Sequence, residues 1–558
     1  MHLLVLAGVL FITLLGIYYP LLTAPNFLLD FDDQQLVQPL KDIFSWADYF
    51  KARQESHVYI MDVAPVRDLS FWLDTHLGFN YHLHNFLIWI ICLILFYGLL
   101  RQLTIKPPYA LAATALLGLH PITVDTVGWI AARKHLLSMA FTLLATCFLI
   151  KAFTPHKRSG IFLGGTLICY LLANLAWTIN VLWPFLAMAL VVLRPRFIRS
   201  GENLAWHSYL AASFLGKKIY FWAILHALML LLMAVNFYYY RYIYLIHSSG
   251  HAKFEDTIAG LGAAVISLGR HLFQALVPLW PSPTPLSVNF TMAIAALLLV
   301  PLLFWAIRQL PRWMQILGII WSTLNLLLVC ISTTNTFACD TYLLMPLAGM
   351  IFLLAAAMQN LLKRASLYLL LVLIPLYAFI SGQQVFTWQS NLNLWSTALA
   401  RDDNPQIIGS YAQYYLDAYP TTAYPYFVKF FKKYPYPQQS WFLAYAIAHN
   451  QDLTLAEKLA LLDQEGAWGH YFKAALAAEK GDWATAYQNW LTILENEQTL
   501  KELNFYPNDL AIAVAEGSYF CRQSGHAPQL CQKQVEYVQG LIENFDEKSF
   551  QKRDQELR

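Results

Sequence analysis

The sequence predicts an all-α, polytopic membrane protein of about eleven transmembrane helices, followed by a soluble C-terminal domain of helical repeats. Three observations carry that expectation. Hydrophobic residues make up 58% of the 558-residue chain and charged ones only 13%, where soluble domains carry roughly 25%. Apolar runs recur through residues 1–384, and a spanning helix needs about 20 mainly apolar residues. The charge balance then changes sign. Residues 385–558 hold 14 Lys+Arg against 20 Asp+Glu, which leaves 23 basic and 14 acidic residues in 1–384. The net charge of +3 conceals this split and points to no nucleic-acid partner.

The eleven runs fall near 2–23, 81–100, 108–121, 135–153, 160–175, 177–193, 219–243, 290–306, 314–331, 343–361 and 366–383. The first has no Lys or Arg ahead of it and no A-x-A-like site behind it, so it is expected to remain as a transmembrane helix. Every second connection is basic: Arg101/Lys106, Lys151/Lys157/Arg158, Arg194 to Lys218, Arg308/Arg312 and Lys363/Arg364. By the positive-inside bias these face the cytoplasm. The 26–80 loop, the 244–289 loop and the 385–558 domain are then expected on the far side of an integral membrane protein. That side is the periplasm of a bacterial inner membrane, or the lumen of the reticulum in a eukaryote. The 244–289 loop is too apolar to be freely solvated, so part of it is expected to lie re-entrant or flat on the bilayer.

Residues 26–80 form the only long polar segment in the first half. They carry nine carboxylates against four cations, and Phe31-Asp32-Asp33 sets two acids just beyond the first apolar run. The soluble domain reads differently. In GAWGHYFKAALAAEKGDWATAYQNWLTILEN (466–496), Gly481-Asp482-Trp483, Ala486 and Trp490 match the turn and second helix of a tetratricopeptide unit. Cys92, Cys147, Cys169 and Cys330 lie in apolar runs and read as small core residues. Cys521 and Cys531 flank a polar turn and can bridge if the tail faces an oxidising compartment. No Cys/His spacing is diagnostic of a metal, and His57, His76, His82 and His84 read as surface or interfacial histidines.

Charged groups near membrane depth default to functional hypotheses. Asp32 and Asp33 are either a solvated acidic turn or a base within reach of a lipid headgroup. Transfer of a sugar from a lipid phosphate fits the second reading. It needs a base for the acceptor's proton and cations to hold the phosphate as charge builds on it. The cation candidates are Arg133 and Lys134, Arg241, and Arg270 with His271. Arg241 also reads as a snorkelling residue in a tyrosine belt, and Arg270 as the cap of an amphipathic helix. A single phosphate makes no demand for a divalent cation, and no cofactor is expected beyond the donor itself.

Several motifs occur in order. After Phe31-Asp32-Asp33 come Pro65, Arg67, Leu69, Ser70, Leu73 and Asp74, then Gly78, Asn80 and His82 to Asn85. His120-Pro121, Asp125, Val127, Trp129 and Arg133-Lys134 follow, then Asp340, Tyr342 and Pro346, and finally Trp388, Ser390, Leu394-Trp395 and Ala398-Leu399. In this order the chain resembles the GT-C superfamily of membrane glycosyltransferases that use polyprenyl-phosphate-linked sugars. It is most similar to the bacterial relatives of the tetratricopeptide-containing O-mannosyltransferases. It departs from their pattern at Thr341, where that family carries Arg, and in AWTINVLWP, which lacks the usual Lys.

The resemblance implies a GT-C-like domain over 1–384 and a tetratricopeptide-like domain over 385–558. It implies Asp32 or Asp33 as the base, these cations on the carrier phosphate, and Arg67, His82, Asn85, His120, Asp125, Asp340 and Tyr342 in supporting roles. The implied reaction moves one sugar from a polyprenyl phosphate to a Ser or Thr hydroxyl of an exported protein, such as a pilin-like or envelope protein. Transfer to an envelope glycan or lipid stays open, as does a non-catalytic assembly factor that docks through its tail.

Overall fold

The computed structural model describes residues 2–24, 33–37, 64–153, 159–193, 217–238, 271–278, 307–332, 340–362, 365–401, 419–433, 440–463, 466–495 and 519–526, with isolated positions in 40–49, 294, 408–416 and 529–536. Every regular element among the described residues is helical, and none of them is a strand. The chain divides into two compact units, 1–397 and 398–558.

The first unit opens with α1 (His2–Leu22) and the short α2 (Asp33–Val37). α3 (Pro65–Leu77) and α4 (Tyr81–Gln102) form a hairpin whose turn is written in its residues. Pro65 starts α3, where its missing N–H costs nothing. Gly78 ends it in the left-handed conformation (φ 68°), which a side chain would strain. Two residues on, the Asn80 side chain accepts the Leu83 N–H and caps α4.

α3 is amphipathic in an unusual sense. Arg67, Ser70, Phe71 and Asp74, one face at helical spacing, are buried. Leu69, Leu73 and Leu77 form an exposed ridge on the opposite side.

The expected third span is broken. α5 (Pro107–Gly118) and α6 (Pro121–Gly128) meet at a bend of 60°. The cause is His120-Pro121: the proline cannot continue the hydrogen-bond ladder, and His120 is held extended as the N-cap of α6. α7 (Arg133–Ala152) begins two residues before the expected 135, so Arg133 and Lys134 lie in its first turn. α8 (Ser159–Ala176) is followed by extended Trp177 and a 3-10 turn, and α9 (Trp183–Leu193) starts later than the expected 177.

α10 (Lys217–Tyr238), α11 (Arg312–Ser332), α12 (Leu344–Ala357) and α13 (Ala365–Val385) follow. The expected span 290–306 and nearly all of the 244–289 loop lie outside the described residues. Among the described residues six helical stretches are long and apolar enough to cross a membrane, or seven with the bent pair counted as one span. These mark the chain as a membrane protein.

α14 (Asn391–Arg401) runs from the first unit into the second. The second unit contains α15 (Pro420–Lys433), α16 (Ser440–His449), α17 (Leu455–Leu462), α18 (Gly466–Glu479) and α19 (Trp483–Glu495). Thr454 and Glu457 form a reciprocal cap at the start of α17, and the Thr454 hydrogen bonds hold the Glu457 carboxyl below its usual range. Asp482 accepts the Thr485 N–H at the start of α19. Ala474, Ala486, Tyr487 and Trp490 pack with Phe520 and with Cys521 and Cys531, which are disulfide-bonded.

Candidate functional site

The turn between α3 and α4 brings polar side chains to the helix ends, and α7 supplies the group they enclose. The Arg133 guanidinium has no exposed surface. Its Nε donates to Asn85 Oδ1 at 2.6 Å. One terminal nitrogen donates to Asp74 Oδ2 at 2.5 Å and to Ser70 Oγ at 3.3 Å, the other to the Tyr81 carbonyl at 3.0 Å. The Phe71 ring stacks beneath it, 4.4 Å from ring centre to guanidinium carbon. Arg133 thus ties α3, α4 and α7 together from inside, with each of its three nitrogens donating to the protein. Asn85 in turn donates to the carbonyls of Val127 and Trp129, which fixes the segment between α6 and α7.

Asp33 joins the same cluster. It is fully buried, its Oδ1 accepts the Ala131 N–H at 2.8 Å, and its charge acts on Arg133 together with that of Asp74. A carboxylate that the sequence sets just beyond the first apolar run is therefore folded onto the start of α7. Asp32, Arg241 and Arg270 lie outside the described residues. Arg67 is buried beside Asp68, with Nε 2.9 Å from Asp68 Oδ1, and Tyr49 donates to the other Asp68 oxygen at 2.6 Å. Leu40, Ile43, Tyr49, Asp68, Leu69 and Trp72 line a cavity of about 200 Å³ next to this pair.

A second group gathers around Asp125, on α6. Its Oδ1 accepts from Gln384 Nε2 at 2.7 Å and from Trp388 Nε1 at 2.8 Å. Gly128 lets the Trp388 ring approach, since a Cβ there would stand 2.8 Å from it. His120 Nδ1 receives the Ile122 N–H, and Nε2 lies 3.3 Å from the Ala275 carbonyl. His271 and His82 are buried.

The third group is aromatic. The His135 ring centre lies 3.9 Å from that of Trp177, Tyr342 stacks on Trp177 at 5.5 Å, and Lys134 Nζ lies 5.9 Å from the Trp177 ring centre. Asp340 opens the 3-10 turn that carries Tyr342.

The structure thus brings Asp33, Asn85, Asp74 and Arg133 together, and it sets Asp125 with the far-off Trp388. Residue types and spacing passed over three participants. Ser70 stands among the motif residues but carries no assigned role, and Gln384 carries no motif signal beyond polarity. His84 Nδ1 lies 2.6 Å from Asp74 Oδ1, a pairing that the glycine and asparagine caps of the α3–α4 turn could have suggested. Among the described residues no group of three or more His, Cys, Asp or Glu side chains could hold a metal. No protein-family model, curated protein or solved structure matches the chain.

Proposed function

We propose that the protein is a GT-C-like membrane glycosyltransferase with eleven spans and a tetratricopeptide-like tail. It moves one sugar from a polyprenyl phosphate to a Ser or Thr hydroxyl of an exported protein. The clustered helix ends and the tail face the periplasm or lumen. The observation that carries the reading is the meeting of four sequence-distant motifs: Asp33, the Asp74–Asn85 hairpin, Asp125 and Arg133 sit on packed helix ends, and Trp388 closes onto Asp125. The exposed leucine ridge of α3 supports a place for these ends in the interfacial layer, the depth of a lipid phosphate.

Within this reading the two acids of the triplet divide. Asp33 holds the Ala131 backbone and positions the start of α7, and Asp32 is the carboxylate left for the acceptor's proton. Lys134, Arg241 and Arg270 are the cations on the phosphate, where Lys offers a point charge and Arg a fork. Arg133, enclosed as it is, holds the helix ends in place.

Intact mass of exported proteins tests the reading, in cells producing wild type, Asp32→Asn or Asp33→Asn protein at equal membrane levels. Wild type adds a single-sugar mass. Asp32→Asn loses it with its thermal stability intact, and Asp33→Asn loses stability as well. A wild-type protein that adds no mass to any exported protein overturns the proposal.

A further inference from the structure

We propose that the cavity beside the Arg67–Asp68 pair takes an acyl chain of a bilayer phospholipid, which enters over the leucine ridge of α3. The lipid is not a reactant, so the proposal stands apart from the transferase reading.

The cavity, of about 200 Å³, lies between α3 and residues of the 40–49 stretch. Among the described residues its inner wall is Leu40, Ile43 and Tyr49, all buried, with half-buried Trp72. The polar atoms of the wall are engaged within the protein. Tyr49 donates to Asp68 Oδ2 at 2.6 Å, and Arg67 donates to Asp68 Oδ1 from Nε at 2.9 Å and from a terminal nitrogen at 2.8 Å. Trp72 Nε1 donates to the Ile43 carbonyl at 2.9 Å, and at the rim Ser45 Oγ donates to Asp48 Oδ2 at 2.6 Å. A buried water needs about three polar partners, whereas an apolar cavity of about 150 Å³ stays dry and accepts a hydrocarbon. This cavity is of the second kind.

Its entrance adjoins the ridge. Ser45 is exposed and Leu69 is 47% exposed, so the wall reaches the surface at these two residues. Leu69 is also the first residue of the ridge, which Leu73 and Leu77 continue at one-turn spacing. In a membrane protein such a ridge rests against hydrocarbon, as the apolar face of an interfacial helix does. One apolar surface therefore runs from the bilayer along α3 and into the cavity.

That continuity selects the occupant. Phospholipid chains are the most concentrated hydrocarbon along this path, and a site fills according to concentration relative to affinity. The Asp68 carboxylate, already neutralised by Arg67, makes no demand for a cationic ligand. Once seated, the chain backs α3, the helix that holds Arg133 through Ser70 and Asp74.

The test uses the full-length protein in phosphatidylcholine vesicles doped with a phosphatidylcholine that carries a diazirine near one acyl terminus. Irradiation, digestion and mass spectrometry map the adducts on wild type and on Ser45→Trp, which narrows the entrance at an exposed position. Wild type is expected to carry label inside the cavity, at Leu40, Ile43 or Trp72, and on the ridge at Leu73 and Leu77. Ser45→Trp is expected to lose the cavity label and keep the ridge label, which also shows that α3 is still folded against the bilayer. A trace of unlabelled polyprenyl phosphate is expected to leave both patterns unchanged.

Ridge label without cavity label in wild type overturns the proposal, as does a ridge that takes no label. Cavity label that persists in Ser45→Trp overturns the stated entrance and with it the proposal. Cavity label removed by the trace of polyprenyl phosphate gives the site to an isoprenoid chain instead. Sugar transfer is read separately, from the masses of exported proteins, so each of these outcomes leaves that reading where it stands.

Discussion

A guanidinium with no exposed surface must place its N–H bonds on protein acceptors, because an unmet buried donor costs about 1–3 kcal/mol and more when charged. Arg133 meets that demand with one carboxylate, one amide, one hydroxyl and one carbonyl, each on a different residue. Lysine carries the charge without the planar fork. Arg133→Lys is therefore expected to lower stability by roughly 2–4 kcal/mol, read as a lower unfolding temperature in detergent micelles. An unchanged unfolding temperature would show that the fork is not what joins α3, α4 and α7. The sequence signals Arg133 through its position next to Lys134 at membrane depth, against the charge bias. Asp74 and Asn85 stand out as motif residues, but nothing in the sequence pairs them with Arg133, 59 and 48 positions away. Type and depth of a charged residue are legible in one dimension; the acceptors that neutralise it are not.

At the scale of elements, the contact between α6 and Trp388 depends on the absence of a side chain at Gly128. Gly128→Ala is expected to push the indole away and weaken its bond to Asp125, at a cost of about 1–3 kcal/mol. Trp388→Phe keeps the ring and loses the donor, so it should cost a similar amount. If Gly128→Ala unfolds at the wild-type temperature, the indole is not seated as described.

The helices themselves were largely legible, because long apolar runs, prolines at helix starts and the Gly78 and Asn80 caps are local signals. The break between α5 and α6 also had its local cause, Pro121, at which the expected run 108–121 ends. The inward polar face of α3 was hidden for another reason. Hydropathy finds which residues share a helical face, and only packing decides which face turns inward.

At the scale of the molecule, composition and contacts both divide the chain, at slightly different places. The basic-to-acidic change falls near 384/385, whereas the first compact unit runs to 397, since Gln384 and Trp388 are bound to Asp125 and Gln389 to the Pro20 carbonyl. In the second unit the Cys521–Cys531 bridge closes a short loop over the α18–α19 pair. Constraint of the unfolded chain by such a loop is worth about 2–3 kcal/mol. Cys521→Ser is expected to lower the denaturant midpoint of proteolytic protection in 398–558 and leave the Arg133-centred unit unchanged. Thiol alkylation of the purified protein without reductant checks the bridge directly: modification of Cys521 and Cys531 before reduction would show it is not formed.

Asp125 and its donors are made at very different moments. Gln384 and Trp388 follow it by 259 and 263 residues. At ribosomal speeds of about 5–20 residues per second, the carboxylate waits roughly 13–50 s in a nascent chain that has not yet synthesised its donors. An emerging polypeptide in that interval holds an acid in or near the bilayer without those two bonds. A premature stop codon before position 384 makes the interval permanent, whereas a stop placed after Trp388 lets the nascent chain supply both donors.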